Sequence, residues 1–93
     1  MRAIHAEDRV VRSNNLIATE LDDETVLMSI DAGSYYGLEG TARTIWERLE
    51  KPVSVAELVD SIVKEYRVSA DACMRDLQKF LSEMEREGLL RVE

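Results

Sequence analysis

Three sets of side chains in this sequence have types that could do chemistry: the single cysteine Cys73, the single histidine His5, and the acidic cluster Asp22, Asp23 and Glu24. A nucleophilic cysteine needs a nearby base, and the one histidine lies in the N-terminal segment, far from Cys73 in sequence. One cysteine excludes an internal disulfide, and one cysteine with one histidine cannot complete a structural zinc site. The acidic cluster falls between two apolar runs, where a solvated turn accounts for it; cation sites draw oxygen ligands from a shaped loop with more partners than these. Serines and carboxylates are present, but no glycine-rich phosphate loop, histidine or second cysteine stands where a nucleophile–base pair could be built. The sequence therefore predicts no catalytic residue, no metal and no cofactor, and reads as a binding protein, not an enzyme.

The binding chemistry is expected where a strand hands over to a helix, in Gly33-Ser34-Tyr35-Tyr36-Gly37-Leu38-Glu39-Gly40-Thr41-Ala42. Tyr36 and Leu38 are two apart and share one face of an extended segment, while Ala42, Ile45, Trp46 and Leu49 follow helical spacing. Tyr35 and Gly37 then share the opposite face. A glycine within a strand packs nothing of its own and often marks close approach by another backbone, which points to a docking edge; a plain bend is the simpler alternative.

The elements that must position this segment follow from the rest of the chain. Residues 1–8 show no sustained period and read as a flexible tail, with residues 9–93 forming one domain. Leu16 to Leu21 reads as a strand, Asp22-Asp23 as a hairpin break, and Thr25 to Ile30 as a second strand that alternates Val26, Met28 and Ile30 against Thr25, Leu27 and Ser29. Asp31-Ala32-Gly33 turns the chain into a third strand, Ser34 to Leu38. Short loops join neighbouring strands, so the three form an antiparallel meander whose outer strands are edges. The third strand carries no lysine or proline to blunt its edge.

Three helices are expected to follow. The first, Thr41 to Glu50, stops at Lys51-Pro52. The second opens with the capping box Ser54-Val55-Ala56-Glu57 and buries Val55, Leu58, Val59, Ile62 and Tyr66. The third runs from a Ser69 cap to Glu87 before Gly88 and carries a wide apolar stripe, with Met74 and Leu81 at one margin and Phe80 at the other. Arg9 to Arg12 reads as the start of the ordered region, and Leu89 to Val92 as a short closing strand or extended segment. Strands followed by three helices describe an α+β, winged helix-turn-helix-like fold, with a three-stranded antiparallel N-terminal sheet.

Composition narrows the partners. The net charge is −7, from 19 acidic and 12 basic residues, a poor balance for neutralising phosphates. The third helix, the one that would read DNA, carries Arg75, Lys79 and Arg86 against Asp71, Asp76, Glu83, Glu85 and Glu87. No nucleic-acid partner is expected. Apolar runs fall far short of a membrane span, and Met1 to His5 is not followed by the apolar region of a signal peptide, so no membrane is expected and the cytoplasm is the default location.

Three segments together resemble the PqqD-like family, the peptide-binding domains called RiPP recognition elements, over about Leu16 to Val92. They are Gly33 to Trp46, the opening Pro52-Val53-Ser54-Val55-Ala56-Glu57-Leu58, and the ending Phe80 to Leu90. A chain of this length with Tyr-Tyr-Gly-Leu-Glu-Gly is most similar to the discrete recognition proteins of lasso-peptide biosynthesis. The resemblance implies a carrier that holds the leader region of a ribosomally synthesised precursor peptide and presents it to a separate leader peptidase and a ring-forming cyclase. It also implies that the leader adds an antiparallel strand to the third strand and lies against the third helix. Carried over by position, the peptide-binding residues are Ser34, Tyr35, Tyr36, Gly37, Leu38, Met74, Leu77 and Leu81. The competing readings are a docking adaptor or subunit of a modifying enzyme and a DNA-binding winged-helix regulator.

Overall fold

The computed structural model describes residues 3–93. In chain order the elements are β1 (Arg9–Arg12), β2 (Leu16–Leu21), β3 (Glu24–Ser29), β4 (Tyr35–Glu39), α1 (Gly40–Arg48), β5 (Val53–Ser54), α2 (Val55–Tyr66), α3 (Ala70–Arg86) and β6 (Leu90–Val92). The expected meander is present as an antiparallel sheet in the order β2-β3-β4, followed by the three helices of an α+β winged-helix-like fold. The strand expected third is thus β4.

Local signals set most of the boundaries. Asp22, at φ 52°, turns the β2–β3 hairpin in a left-handed conformation that aspartate tolerates better than most residues. The capping box of α2 forms as its sequence requires: Glu57 N–H donates to Ser54 Oγ at 3.1 Å, and Ser54 N–H donates back to Glu57 Oε1 at 3.2 Å. The Ser54 hydroxyl, which donates to Glu57 Oε1 at 2.9 Å, and the Ser54 N–H hold the Glu57 carboxyl below its ordinary pKa. Gly88, at φ +76°, lets the chain leave α3.

A second sheet, in the order β5-β1-β6, joins three segments that are far apart in sequence. Val10 faces both partners, pairing with Val53 and with Val92. Val53-Ser54 carries too short a pattern to read as a strand, and its pairing depends on segments more than forty positions away.

The N-terminal segment departs from the flexible tail expected for it. Residues 1 and 2 of that expectation lie outside the described residues, but Ile4 is 2% exposed and belongs to the core. Its carbonyl accepts from Gln78 Nε2 at 2.8 Å, while the Ala6 and Asp8 carbonyls each accept at 2.9 Å from the N–H groups of Ala56 and Val55. These are unpaired donors of the first turn of α2, so the segment finishes the capping of that helix. A lone apolar residue in irregular chain has no period, which is why the sequence does not reveal it. Ile4→Ala is expected to lower unfolding free energy by about 2–4 kcal/mol with an unchanged denaturant slope in urea titration. A loss below about 0.5 kcal/mol would mean that the segment is undocked in solution.

The core runs between the meander and the helices. Leu27 of β3, Leu38 of β4, Leu49 after α1, Leu58 of α2 and Leu81 of α3 are all buried within it. The inner face of β3 is Leu27 with the hydroxyl-bearing Thr25 and Ser29, while Val26 and Met28 are half-buried on the other face and Ile30 is 58% exposed. Burying these hydroxyls is tolerable because they are paired: Thr25 Oγ1 donates to Glu20 at 2.6 Å, and Ser29 Oγ accepts from Ala32 N–H at 3.3 Å.

Candidate functional site

Among the described residues, strand β4 is paired on one side only, with β3, in the register Tyr35–Met28, Tyr36–Leu27, Gly37–Val26, Leu38–Thr25 and Glu39–Glu24. Its ladder has a definite phase. Ser29 N–H donates to the Ser34 carbonyl at 2.9 Å, which makes that a hydrogen-bonded pair. Antiparallel pairs alternate, so Tyr36 and Leu38 also bond toward β3, and the backbone groups of Tyr35, Gly37 and Glu39 face the free edge. The strand thus offers an unblocked row of donors and acceptors to a further strand.

Side chains alternate in the same way. Leu38 is buried under the sheet, and Tyr36 is half-buried on the same face with its phenol donating to Glu87 Oε2 at 2.8 Å. That bond, with a smaller contribution from burial, raises the Tyr36 phenol above its ordinary pKa. Tyr35, 71% exposed, stands on the outward face in a cross-strand row with Met28 and Ile17.

Two hollows run along α3. The smaller, about 300 Å³, lies beside β4 and is lined by Tyr36, Leu38, Phe80, Met84, Glu87 and Leu89 among others. The larger, about 570 Å³ and mostly apolar, lies between the helices against Ala42, Ile45, Tyr66, Cys73, Leu77 and Phe80. Phe80 lines both, and the two hollows are together called the trough below. Tyr66, expected in the core, is instead 38% exposed at this trough, with its hydroxyl 2.8 Å from Thr44 Oγ1.

The structure brings together some of the expected site residues and separates others. Tyr36, Gly37 and Leu38 line the smaller hollow, Tyr35 flanks it on the outward face, and Ser34 leads into β4. Leu77, 3% exposed, lies deep against the larger hollow. Leu81 is wholly buried and Met74 packs against the core, and neither lines either hollow. The margin facing β4 is that of Phe80, Met84 and Glu87, positions spaced i, i+4, i+7 on one face of α3. That spacing was visible in the sequence. Which edge of the stripe meets β4 depends on how α3 sits on the sheet, and no local pattern encodes that.

The residues weighed for chemistry form no reactive group. Cys73 is buried, and desolvation pushes its thiol above the ordinary pKa, the opposite of an activated nucleophile. His5 is exposed in the N-terminal turn. Among the described residues no cluster of histidine, cysteine and carboxylate side chains is placed to hold a metal ion, and no helix is long and apolar enough to cross a membrane.

The structure of TbiB1 in complex with the TbiA(beta) leader peptide matches with a TM-score of 0.81 and 34% identity, over 87% of this chain and 94% of that one. Lasso peptide synthetase B1 complexed with the leader peptide matches with a TM-score of 0.78 over 88% of this chain and 96% of that one; at 23% identity it is evidence of shared fold alone. No curated protein sequence matches the chain. The sequence model of one family, coenzyme PQQ synthesis protein D (PqqD), matches residues 24–90, from the start of β3 to the start of β6. That span holds β4, the trough and all of α3, and by it the chain belongs to the PqqD-like family of RiPP recognition elements.

Proposed function

We propose that this chain binds the leader segment of a ribosomally synthesised precursor peptide, as an added antiparallel strand on β4, and presents it to a separate leader peptidase and ring-forming enzyme. The observation that carries this reading is the free edge of Tyr35, Gly37 and Glu39 beside a trough whose wall is Phe80 and Met84. Backbone bonds along the edge supply affinity that tolerates sequence variation, and alternate leader side chains entering the trough supply selectivity. The similarity to TbiB1, whose structure is that of a complex with a leader peptide, supports it. The protein acts as a carrier and contributes no reacting group.

One observation favours a second reading, an adaptor that docks on an enzyme. The outward face of the meander exposes Ile17 at 48%, Leu21 at 54% and Ile30 at 58%, and Ile17 shares a cross-strand row with Met28 and Tyr35. The two readings part in a fluorescence-anisotropy titration with the labelled leader of the precursor encoded beside the gene. A scrambled peptide and duplex DNA serve as controls at two salt concentrations.

Tight binding of the leader alone, with a shallow salt dependence, is expected. Tyr35→Pro removes one edge donor and no bond of the β3–β4 ladder, and is expected to weaken the leader about tenfold. Unchanged affinity in a folded Tyr35→Pro protein would remove β4 from the site, and failure of the wild-type protein to bind the leader would leave the adaptor reading.

A further inference from the structure

Glu24 and Glu39 face each other directly across β3 and β4 at the end of the free edge. Like charges in that relation repel, and neither carboxylate takes part in an ion pair among the described residues. Both cations of α1 are already engaged: Arg43 meets Glu20 at 2.6 Å and Glu47 at 3.7 Å, and Arg48 meets Glu65 at 2.5 Å. Asp22 and Asp23, in the adjoining turn, add negative charge to the same end of the sheet.

The Glu24 side chain also has a particular place. It lies over Gly37, so that a Cβ added there would overlap its carboxylate. Gly37 therefore leaves open the space through which a carboxylate of β3 reaches toward the edge of the sheet. Any larger residue would displace it.

We propose, building on the strand-addition reading, that the leader carries a lysine or arginine opposite Gly37, flanked on both sides by apolar residues. The register dictates the pattern. An added strand lies about 4.8 Å from β4, and each of its side chains points to the same face as the β4 residue opposite it. Leader residues opposite Leu38 and Tyr36 enter the trough toward Phe80 and Met84, while the residue between them projects onto the outward face beside Gly37. A long cationic side chain there lies across the glycine and reaches Glu24, with Glu39 flanking it. Binding then relieves the repulsion between the two carboxylates, and the apolar-basic-apolar triplet fixes the register of an otherwise sequence-tolerant strand.

The test is selection of a displayed library of short random peptides on the folded protein. One selected peptide is then titrated with lysine, glutamine or glutamate at the middle position against wild-type, Glu24→Gln and Glu24→Lys proteins. The triplet should be enriched, with lysine favoured over glutamine about fivefold on the wild-type protein. That preference should vanish in Glu24→Gln, and glutamate should become the favoured residue in Glu24→Lys. Selected strands with no basic preference, or a preference that survives both substitutions, overturn this inference and leave the leader-binding reading standing. Failure to select any peptide on a folded protein overturns both.

Discussion

Phe80→Asp is expected to weaken leader binding by roughly 100-fold or more while leaving the protein folded. Phe80 is half-buried, lines both hollows of the trough and packs against the core from its margin without belonging to it. A large aromatic side chain at the centre of a binding trough is the kind of residue on which interface energy concentrates. Aspartate loses that area and adds a carboxylate, which an incoming apolar side chain would have to strip of water without offering a partner. Leu77→Glu, suggested by the sequence stripe, would not isolate the same effect, because at 3% exposure Leu77 supports the fold as well as the trough floor. Met74→Asp is the matched control: same helix, same charge, but away from β4, with an expected change within about threefold. Anisotropy measures the affinity and circular dichroism the fold. A folded Phe80→Asp protein that binds like wild type would place the leader outside the trough.

The contrast between Phe80 and Leu81 shows how far the sequence reaches. Helical spacing puts both on one apolar stripe, and nothing local separates a core position from a rim position when the stripe is wide. The decision is tertiary: Leu81 turns into the core, and Phe80 turns toward β4. The free edge was legible because hairpin breaks, alternation and the lack of blunting residues are local features of Leu16 to Leu38. The capping box of α2 was legible for the same reason. Ile4 and β5 were not, since their meaning comes from partners brought near only by folding. On β3, alternation gave the two faces correctly, but apolarity alone would bury Val26 and Met28, whereas Thr25 and Ser29 go inward because their hydroxyls find partners.

Trp46→Ala is expected to cost about 3–5 kcal/mol of stability, against a total of about 5–14 kcal/mol for a chain of this length. Trp46 is 4% exposed, and its ring fills the core under α1. Arg12 of β1 lies over that ring at 4.4 Å from its centroid, and its Nε and Nη2 both donate to the Trp46 carbonyl, at 3.0 and 2.9 Å. Truncation therefore opens a cavity and removes the aromatic surface under a cation, although the carbonyl bonds can persist. The consequence reaches the binding site, because α1 follows β4 directly and supplies Ala42 and Ile45 to the larger hollow. Leader binding should in turn restore stability, by about 2.7 kcal/mol at a hundredfold excess over its dissociation constant. Urea titration followed by circular dichroism measures both effects, since the substitution removes the chain's one tryptophan. A lower midpoint at unchanged slope, rising again with leader, is the expected result. A loss below about 1 kcal/mol would show that the ring is not a core anchor, and a midpoint indifferent to leader would show that the peptide does not bind the folded state in preference to the unfolded one.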